Sequence, residues 1–332
     1  MTNTAGHMRN QRTYRRDLWI LAGLFLLMIG GLIGLAAATG WEETRAGLMK
    51  LTFGEIMILL ALSLVNYLFR GLRWNLFSRR LGLPTGLWTN LSHFVGGFAM
   101  SATPGRVGEL IRMRWIGRET GWNFERTAPL VLVDRASDLV AMALILAMAL
   151  ALSTGGIAGA VPIVILALAT AWVATHPALL IRVSGIAFAV TGRFARFFVK
   201  LRRAAQSLDA FRGIGTVLVA SALGLIGWLA EGYAFHLLLG WMGADIGLWK
   251  AIAIFVFATL AGGLTGLPGG IGGAEAAMIA LLTLEGVPLS VSIPVTLIIR
   301  VTTLWFAIGL GLLLFPFVES RSIGRHHANS AA

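Results

Sequence analysis

Residues 250–284 read KAIAIFVFATLAGGLTGLPGGIGGAEAAMIALLTL. The run is apolar enough to enter a membrane, yet it breaks in the middle, at Gly266-Leu267-Pro268-Gly269-Gly270-Ile271-Gly272. Proline removes a backbone donor and glycine frees the chain, so a helix cannot run through this point undisturbed. Broken backbone at membrane depth survives only when it is packed inside protein or lines a wet cavity. The stretch is therefore read as a re-entrant hairpin of two half-helices; the alternative is a kinked span. A second stretch, 87–116, breaks in the same way at Pro104-Gly105.

Working outward, six uninterrupted apolar segments surround these two: 17–39, 52–77, 127–153, 157–175, 214–239 and 291–316. Each is about the length needed to cross the hydrocarbon. The expected fold class is an all-α integral membrane protein with six full spans plus two re-entrant broken-helix hairpins, eight membrane segments in all. The whole chain, 1–332, is expected to form a single polytopic membrane domain. Composition agrees: 57% of the 332 residues are hydrophobic and 13% charged, about half the charged fraction of a soluble domain. The apolar run from Leu18 to Thr39 is longer than a signal-peptide core and reads as an uncleaved first span.

The net charge of +12 is topological rather than a nucleic-acid footprint, because the cations sit in short loops between spans. Arg9, Arg12, Arg15 and Arg16 precede the first span, and Arg79 and Arg80 follow the second. Arg114, Arg118 and Arg126, the basic loop 176–213, and Arg321 and Arg325 complete the set. With six spans and two hairpins all of these fall on one side, so the positive-inside rule places both termini in the cytoplasm. Within that loop Arg193, Arg196, Lys200 and Arg203 recur at helical spacing beside Phe194, Phe197 and Phe198. That is the pattern of a helix lying on anionic lipid, or of a soluble basic connector. The expected location is the bacterial inner membrane.

The absence of cysteine excludes disulfides, thiolate metal sites and cysteine nucleophiles. No histidine cluster has ligand spacing, and His326-His327 read as part of a tail. No cofactor is expected. No G-x-x-x-x-G-K-[ST] phosphate loop is present, so movement would be passive or ion-coupled.

The chain carries an internal repeat. Pro104-Gly105-Arg106-Val107-Gly108 and Pro268-Gly269-Gly270-Ile271-Gly272 share P-G-x-x-G, each with a Glu shortly after, Glu109 and Glu275. Phe69-Arg70-Gly71 aligns with Ala230-Glu231-Gly232, and Arg135 with Arg300, at nearly the same offset. Counting crossings gives the halves, about 17–153 and 157–316, opposite orientation. An inverted-topology repeat with broken helices is a transporter signature.

Arg70, Arg73, Arg106, Glu109, Asp134, Arg135, Asp138, Glu231, Glu275 and Arg300 all fall within or at the ends of these segments. A central charge costs roughly 2.5–3.5 kcal/mol on insertion scales, so such groups pair, line water, or both. Asn66, Arg70 and Arg73 share one helical face, as do Asp134 and Asp138. The set reads either as a polar cavity for a charged headgroup or as pairs that hold helices together, with Arg73 a candidate for snorkelling to the interface. The half-helix after Pro104-Gly105 would aim its N-terminus inward with Arg106 in its first turn, which suits a phosphate; Gly269 and Gly270 would allow close backbone approach from the other side. Glu109, Glu231 and Glu275 would accept a cationic headgroup or carry protons. His93 and His236 could shuttle protons, although a lone histidine on an apolar face is also an ordinary structural residue.

Arg70-x-x-Arg73-Trp74, Thr103-Pro104-Gly105-Arg106-x-Gly108-Glu109 and Gly266-Leu267-Pro268-Gly269-Gly270-Ile271-Gly272 together resemble the flippase-like transmembrane family. This is the membrane module of lysylphosphatidylglycerol synthetases and of many standalone proteins. Asp134-Arg135-x-x-Asp138 fits its next motif, with Asp where the family often has Glu. The resemblance implies a lipid flippase, in the best-known members of an aminoacylated phosphatidylglycerol. It also implies a standalone member without the aminoacyl transfer domain, hence a transporter rather than an enzyme. The expected partners are membrane phospholipids, with a lipid-modifying enzyme as a possible further partner and no nucleic acid. Two rival readings stand beside it: a scaffold for such an enzyme, and an intramembrane lipid-modifying enzyme.

Overall fold

The computed structural model describes residues 51–101, 110–152, 160–176 and 207–331, together with isolated positions at 23, 26, 30, 45, 47, 49, 50, 178, 179, 181, 182 and 185. The first span at 17–39, the Pro104-Gly105 break with Arg106 and Glu109, and the basic helix at 193–203 lie outside the described residues.

The described chain is helical. Helix α1 (Phe53–Arg80) starts at a reciprocal cap: Thr52 Oγ1 accepts from the Glu55 amide, and Glu55 accepts from the Thr52 amide at 2.7 Å. This satisfies two of the orphan donors at the helix start. Helices α2 (Leu87–Gly96) and α3 (Ile111–Thr120) are ten residues each, and Gly97–Met100 tightens into a 3-10 turn after α2. Helix α4 (Phe124–Leu152) and helix α5 (Ala160–Thr175) follow. After a 3-10 turn at Ser207–Phe211 come α6 (Ile214–Trp241), α7 (Leu248–Leu264), α8 (Gly273–Leu284) and α9 (Leu289–Arg300). A single π turn, Val301–Trp305, joins α9 to α10 (Phe306–Ala331).

Among the described residues four helical segments are long and apolar enough to cross a membrane: α1, α4, α6 and the continuous run from α9 into α10. These match four of the six expected full spans. Of the segment expected at 157–175, the described part forms a helix of sixteen residues, about 24 Å at 1.5 Å per residue. The arms α2, α3 and α8 are about 15–18 Å by the same rise, too short to span about 30 Å of hydrocarbon alone.

The break in 250–284 falls where proline and glycine predict it. A short turn at Pro268–Gly270 separates α7 from α8, and Gly266, Gly269, Gly270 and Gly272 all have positive φ. The arms then fold back on each other: a Cβ on Gly270 would meet the Gly262 backbone at 3.0 Å, and one on Gly262 would meet the Ala274 amide nitrogen at 2.9 Å. Only glycine serves both the left-handed backbone and this approach.

The larger apolar core lies among α4, α6, α7, α8 and α9, around Ile145, Leu238, Phe255, Met278 and Ile299. A smaller core around Tyr67, Trp74, Phe77 and Phe94 joins α1 to α2 and α4. The outward faces are also apolar, with Leu64, Leu144, Trp172, Leu218 and Leu313 exposed. Apolar side chains exposed on several helices at once are what a lipid-facing surface requires.

Candidate functional site

Three long helices, α1, α4 and α6, meet at one polar cluster. From α1, Arg70 donates to Asp138 through Nε (3.1 Å) and Nη2 (2.7 Å) and to Asn66 through Nη1. Arg73, one turn on, donates Nη2 to Asp134 at 2.7 Å and to Asp138 at 2.6 Å. From α4, Arg135 donates to Asp134 at 2.8 Å and lies 3.4 Å from Asp138. From α6, the Trp228 indole donates to Asp138, and its ring stacks 4.8 Å from the Arg70 guanidinium. Asp138 thus accepts hydrogen bonds from α1 and α6 and pairs with Arg135 on its own helix. Fork-like guanidinium contacts of this kind hold a carboxylate ionised where water is scarce. The i, i+4 spacing of Asp134 and Asp138 and the i, i+3 spacing of Arg70 and Arg73 bring the two faces into register.

Arg73 does not snorkel. Its side chain is fully buried, because both α4 carboxylates face it and pairing there offsets more than a partial return to the interface would. Arg112 is a further buried guanidinium, stacked 4.5 Å from the Phe94 ring and 5.2 Å from Trp74.

The second cluster belongs to the hairpin tip. Arg300, the last residue of α9, donates Nε to Glu275 at 2.5 Å and Nη2 to the Gly269 carbonyl at 2.8 Å. The other Glu275 oxygen accepts from the Gly272 amide at 2.7 Å. Glu275 therefore caps α8 and pairs with Arg300 at once, so both its oxygens are engaged. The π turn that follows Arg300 receives the Tyr67 hydroxyl, which donates to the Thr303 carbonyl. A π turn disturbs the regular ladder and often marks a functional position.

Two cavities lie between these clusters. One, of about 320 Å³, opens between α4, α5 and α7. Arg135, Asp138, Trp228 and Thr259 form its polar floor, Gly266 and Gly270 of the hairpin tip border it, and Leu139, Ile163, Leu166, Leu264 and Leu267 form its wall. Of these, Leu166, Leu264 and Leu267 are exposed, so the wall continues onto the outer apolar surface. The other, of about 60 Å³, is lined by Arg70, Glu231, Arg300 and Ser101, with Tyr67, Phe98, Trp228 and Phe255 around them. Trp228 and Thr259 border both. The structure thus gathers Arg70, Asp134, Arg135 and Asp138 into one network, and Gly269, Glu275 and Arg300 into another. Glu231 and Arg70 face the same small cavity.

Sequence reasoning missed a third constellation. The last turns of α10 run beyond the expected span end at 316 and clamp α2 and α3. Glu319 accepts from Arg114 (2.9 Å), the Trp115 indole (2.6 Å) and Arg118 (2.6 Å). Glu119 accepts from Arg325 at 2.9 Å and lies 3.3 Å from His93 Nε2. Arg321 donates to Thr89. His93 is held inside this cluster, while His236 is half-buried beside Tyr233. Burial alone would raise the Glu119 carboxyl, but the hydrogen bond and charge of His93 and the charges of Arg325 and Arg321 outweigh it and hold it below the usual range. No local signal announces these pairs, since more than 200 residues separate Glu319 from Arg114.

The family model described as the lysylphosphatidylglycerol synthase TM region matches residues 19–311. A protein named "UPF0104 membrane protein" from Methanothermobacter thermautotrophicus is 23% identical over 322 residues, covering 89% of this chain and 95% of the relative. A second match of the same name and organism is 31% identical over 108 residues, 32% of this chain and 31% of the relative. The chain belongs to the lysylphosphatidylglycerol synthase TM region family and is a multi-pass integral membrane protein.

Proposed function

We propose that this member of the lysylphosphatidylglycerol synthase TM region family translocates a phospholipid across an inner membrane, as a flippase-like transporter with both termini cytoplasmic. The observation that carries the reading is the 320 Å³ cleft, whose floor holds Arg135 and Asp138 and whose apolar wall runs out through Leu166, Leu264 and Leu267. A phospholipid divides in the same way: a charged headgroup that needs pairing, and acyl chains that stay in hydrocarbon. Broken helices meeting a polar site are the arrangement on which alternating access is built. The packing of α1 along α6, with Arg70 and Glu231 at one cavity, is what an inverted repeat of the two halves would require and supports the reading further. The family description names an aminoacylated phosphatidylglycerol synthase, so an aminoacylated lipid belongs among the cargoes to test.

The test is reconstitution of the pure protein in liposomes carrying amine-bearing phospholipids in both leaflets. A membrane-impermeant amine reagent then reports how fast inner-leaflet lipid reaches the outside. Acceleration over protein-free liposomes, strongly reduced in Arg135→Gln, is the expected result. No acceleration for any phospholipid, with and without an ion gradient, overturns the reading.

A further inference from the structure

The break at 266–272 gives the second hairpin a tip made largely of glycine. Gly266, Gly269, Gly270 and Gly272 hold positive φ of 60–84°. Glycine loses more conformational freedom on being fixed than any other residue, so such a tip keeps one shape only where its surroundings hold it. The middle of the tip is in contact: a Cβ on Gly270 would meet the Gly262 backbone, and one on Gly269 would lie 3.0 Å from Leu304 Cδ2. The two bracketing positions are not packed in this way. A Cβ on Gly266 or on Gly272 would meet nothing within 4 Å. Small residues at the ends of an element, where a change of backbone angle is absorbed, are where hinges sit.

Polar contacts fix this hairpin at two places. At its base, Lys250 in the first turn of α7 pairs with Glu285, just after α8, at 2.6 Å. At its tip the holding group is Arg300 of α9. Its Nη2 donates to the Gly269 carbonyl at 2.8 Å and its Nε to Glu275 at 2.5 Å, while the other Glu275 oxygen accepts from the Gly272 amide. Among the described residues, Arg300 supplies the hydrogen bonds that join the tip to a helix outside the hairpin. Arg300 and Glu275 are both buried. A buried ion pair is weak as a source of stability, and its best-attested use is to fix one arrangement over another. Arg300 also directly precedes the π turn Val301–Trp305. One guanidinium therefore joins two places where the backbone leaves the regular α-helix.

The tip borders both cavities. Gly266, Leu267 and Gly270 line the large cleft, Arg300, Thr303 and Leu304 line the small one, and Gly269 rests on Leu304. We infer that the tip is a movable wall of the lipid site and that Arg300 is the positioning residue that latches it. With the Arg300 contacts made, Gly269 stays on Leu304 and keeps the small cavity apart from the cleft on that side. With them broken, the tip turns about Gly266 and Gly272, and the two cavities join. The inference rests on the lipid-transport reading for its physiological meaning, but the movement is tested without any lipid.

The chain has no cysteine, so a single introduced thiol reports one position. Thr303→Cys places it at a buried residue of the small cavity. The protein in detergent is treated with a charged methanethiosulfonate reagent, and the labelling rate is read by mass spectrometry. Labelling is slow in Thr303→Cys alone. Adding Arg300→Lys keeps the charge but loses the planar fork that holds Glu275 and Gly269 together, and labelling becomes about tenfold faster, the equivalent of one lost hydrogen bond. Glu275→Gln keeps the side-chain size, removes the charge that Arg300 pairs with, and raises the rate in the same direction; it provides the second test should Arg300→Lys fail to fold. Ala149→Cys, buried in the α4 core, stays slow with either change, which separates release of the tip from general loosening. Unchanged labelling of Thr303→Cys in both variants, or an equal rise for Ala149→Cys, overturns the inference. Faster labelling in a protein that accelerates no lipid in liposomes leaves the latch standing and removes the transporter reading. Lipid translocation by the wild type, with labelling unchanged in both variants, does the reverse.

Discussion

Arg73→Met tests whether the three-helix network is a mutual neutralisation. Arg73 is fully buried, with Asp134 at 2.7 Å and Asp138 at 2.6 Å. The variant keeps side-chain length and removes the charge. Asp134 then retains only Arg135, and Asp138 retains Arg70 and Arg135. Removing one partner of a buried pair costs about 3–5 kcal/mol, because the other charge stays buried without compensation. Asp134→Leu costs about 3 kcal/mol on the same argument, since Arg73 is left with Asp138 alone. Additivity would put the double variant about 6–8 kcal/mol below wild type. The structure predicts otherwise. The double variant deletes one charge of each sign and leaves Arg70, Arg135 and Asp138 with the same net charge as before. Apolar replacement of a complete buried pair is often close to neutral, so the double variant should lie within about 2 kcal/mol of wild type. The assay is reversible unfolding in mixed micelles, followed by tryptophan fluorescence, for all four proteins of the cycle. An Arg73→Met chain as stable as wild type, or a double variant at the additive value, would refute the reasoning.

Three further outcomes follow. Gly311→Ala should detach α10 from the 3-10 turn after α2, because the added Cβ would lie 2.2 Å from the Ala99 amide nitrogen and 2.8 Å from the Phe98 carbonyl carbon. Overpacking against backbone costs about 1–3 kcal/mol or more, readable as faster proteolysis of α2 and α3. Acid should loosen the same clamp: the Glu119 carboxyl is held below its ordinary value, so its contribution is present above about pH 4.3 and is lost as pH falls through the lower folded value. Hydrogen exchange of α3 at descending pH checks the sign, and protection unchanged well below that range would contradict it. Arg106→Ala should abolish lipid translocation in a chain that still folds, as the phosphate role read from the first hairpin requires; normal transport would remove that role.

Much of the fold was legible because its causes are local. Hydropathy marks the long spans α1, α4, α6 and α9–α10, since each must satisfy lipid along its own length. Proline and glycine mark the second hairpin tip, since a broken ladder is a property of the residues that break it; Gly269 and Gly270 take positive φ where the P-G-G run predicts a break. Element lengths were less legible. Helix α10 continues well past residue 316, because apolar composition says where lipid is tolerated and not where helical hydrogen bonding stops.

The sequence by itself determined that this chain enters a membrane many times, where its backbone breaks, and which polar residues must be justified there. Charge in hydrocarbon is costly at any position, so Arg70, Asp134, Asp138, Glu275 and Arg300 stood out before any partner was known. Only the tertiary structure decided the partners. Arg73 faces both aspartates instead of the interface, Glu275 caps α8 while pairing with Arg300, and Glu319 gathers Arg114, Trp115 and Arg118 across the length of the chain. Pairing is an interaction between distant segments, set by which helix faces meet and how deeply they bury each other, and one-dimensional spacing carries no record of that.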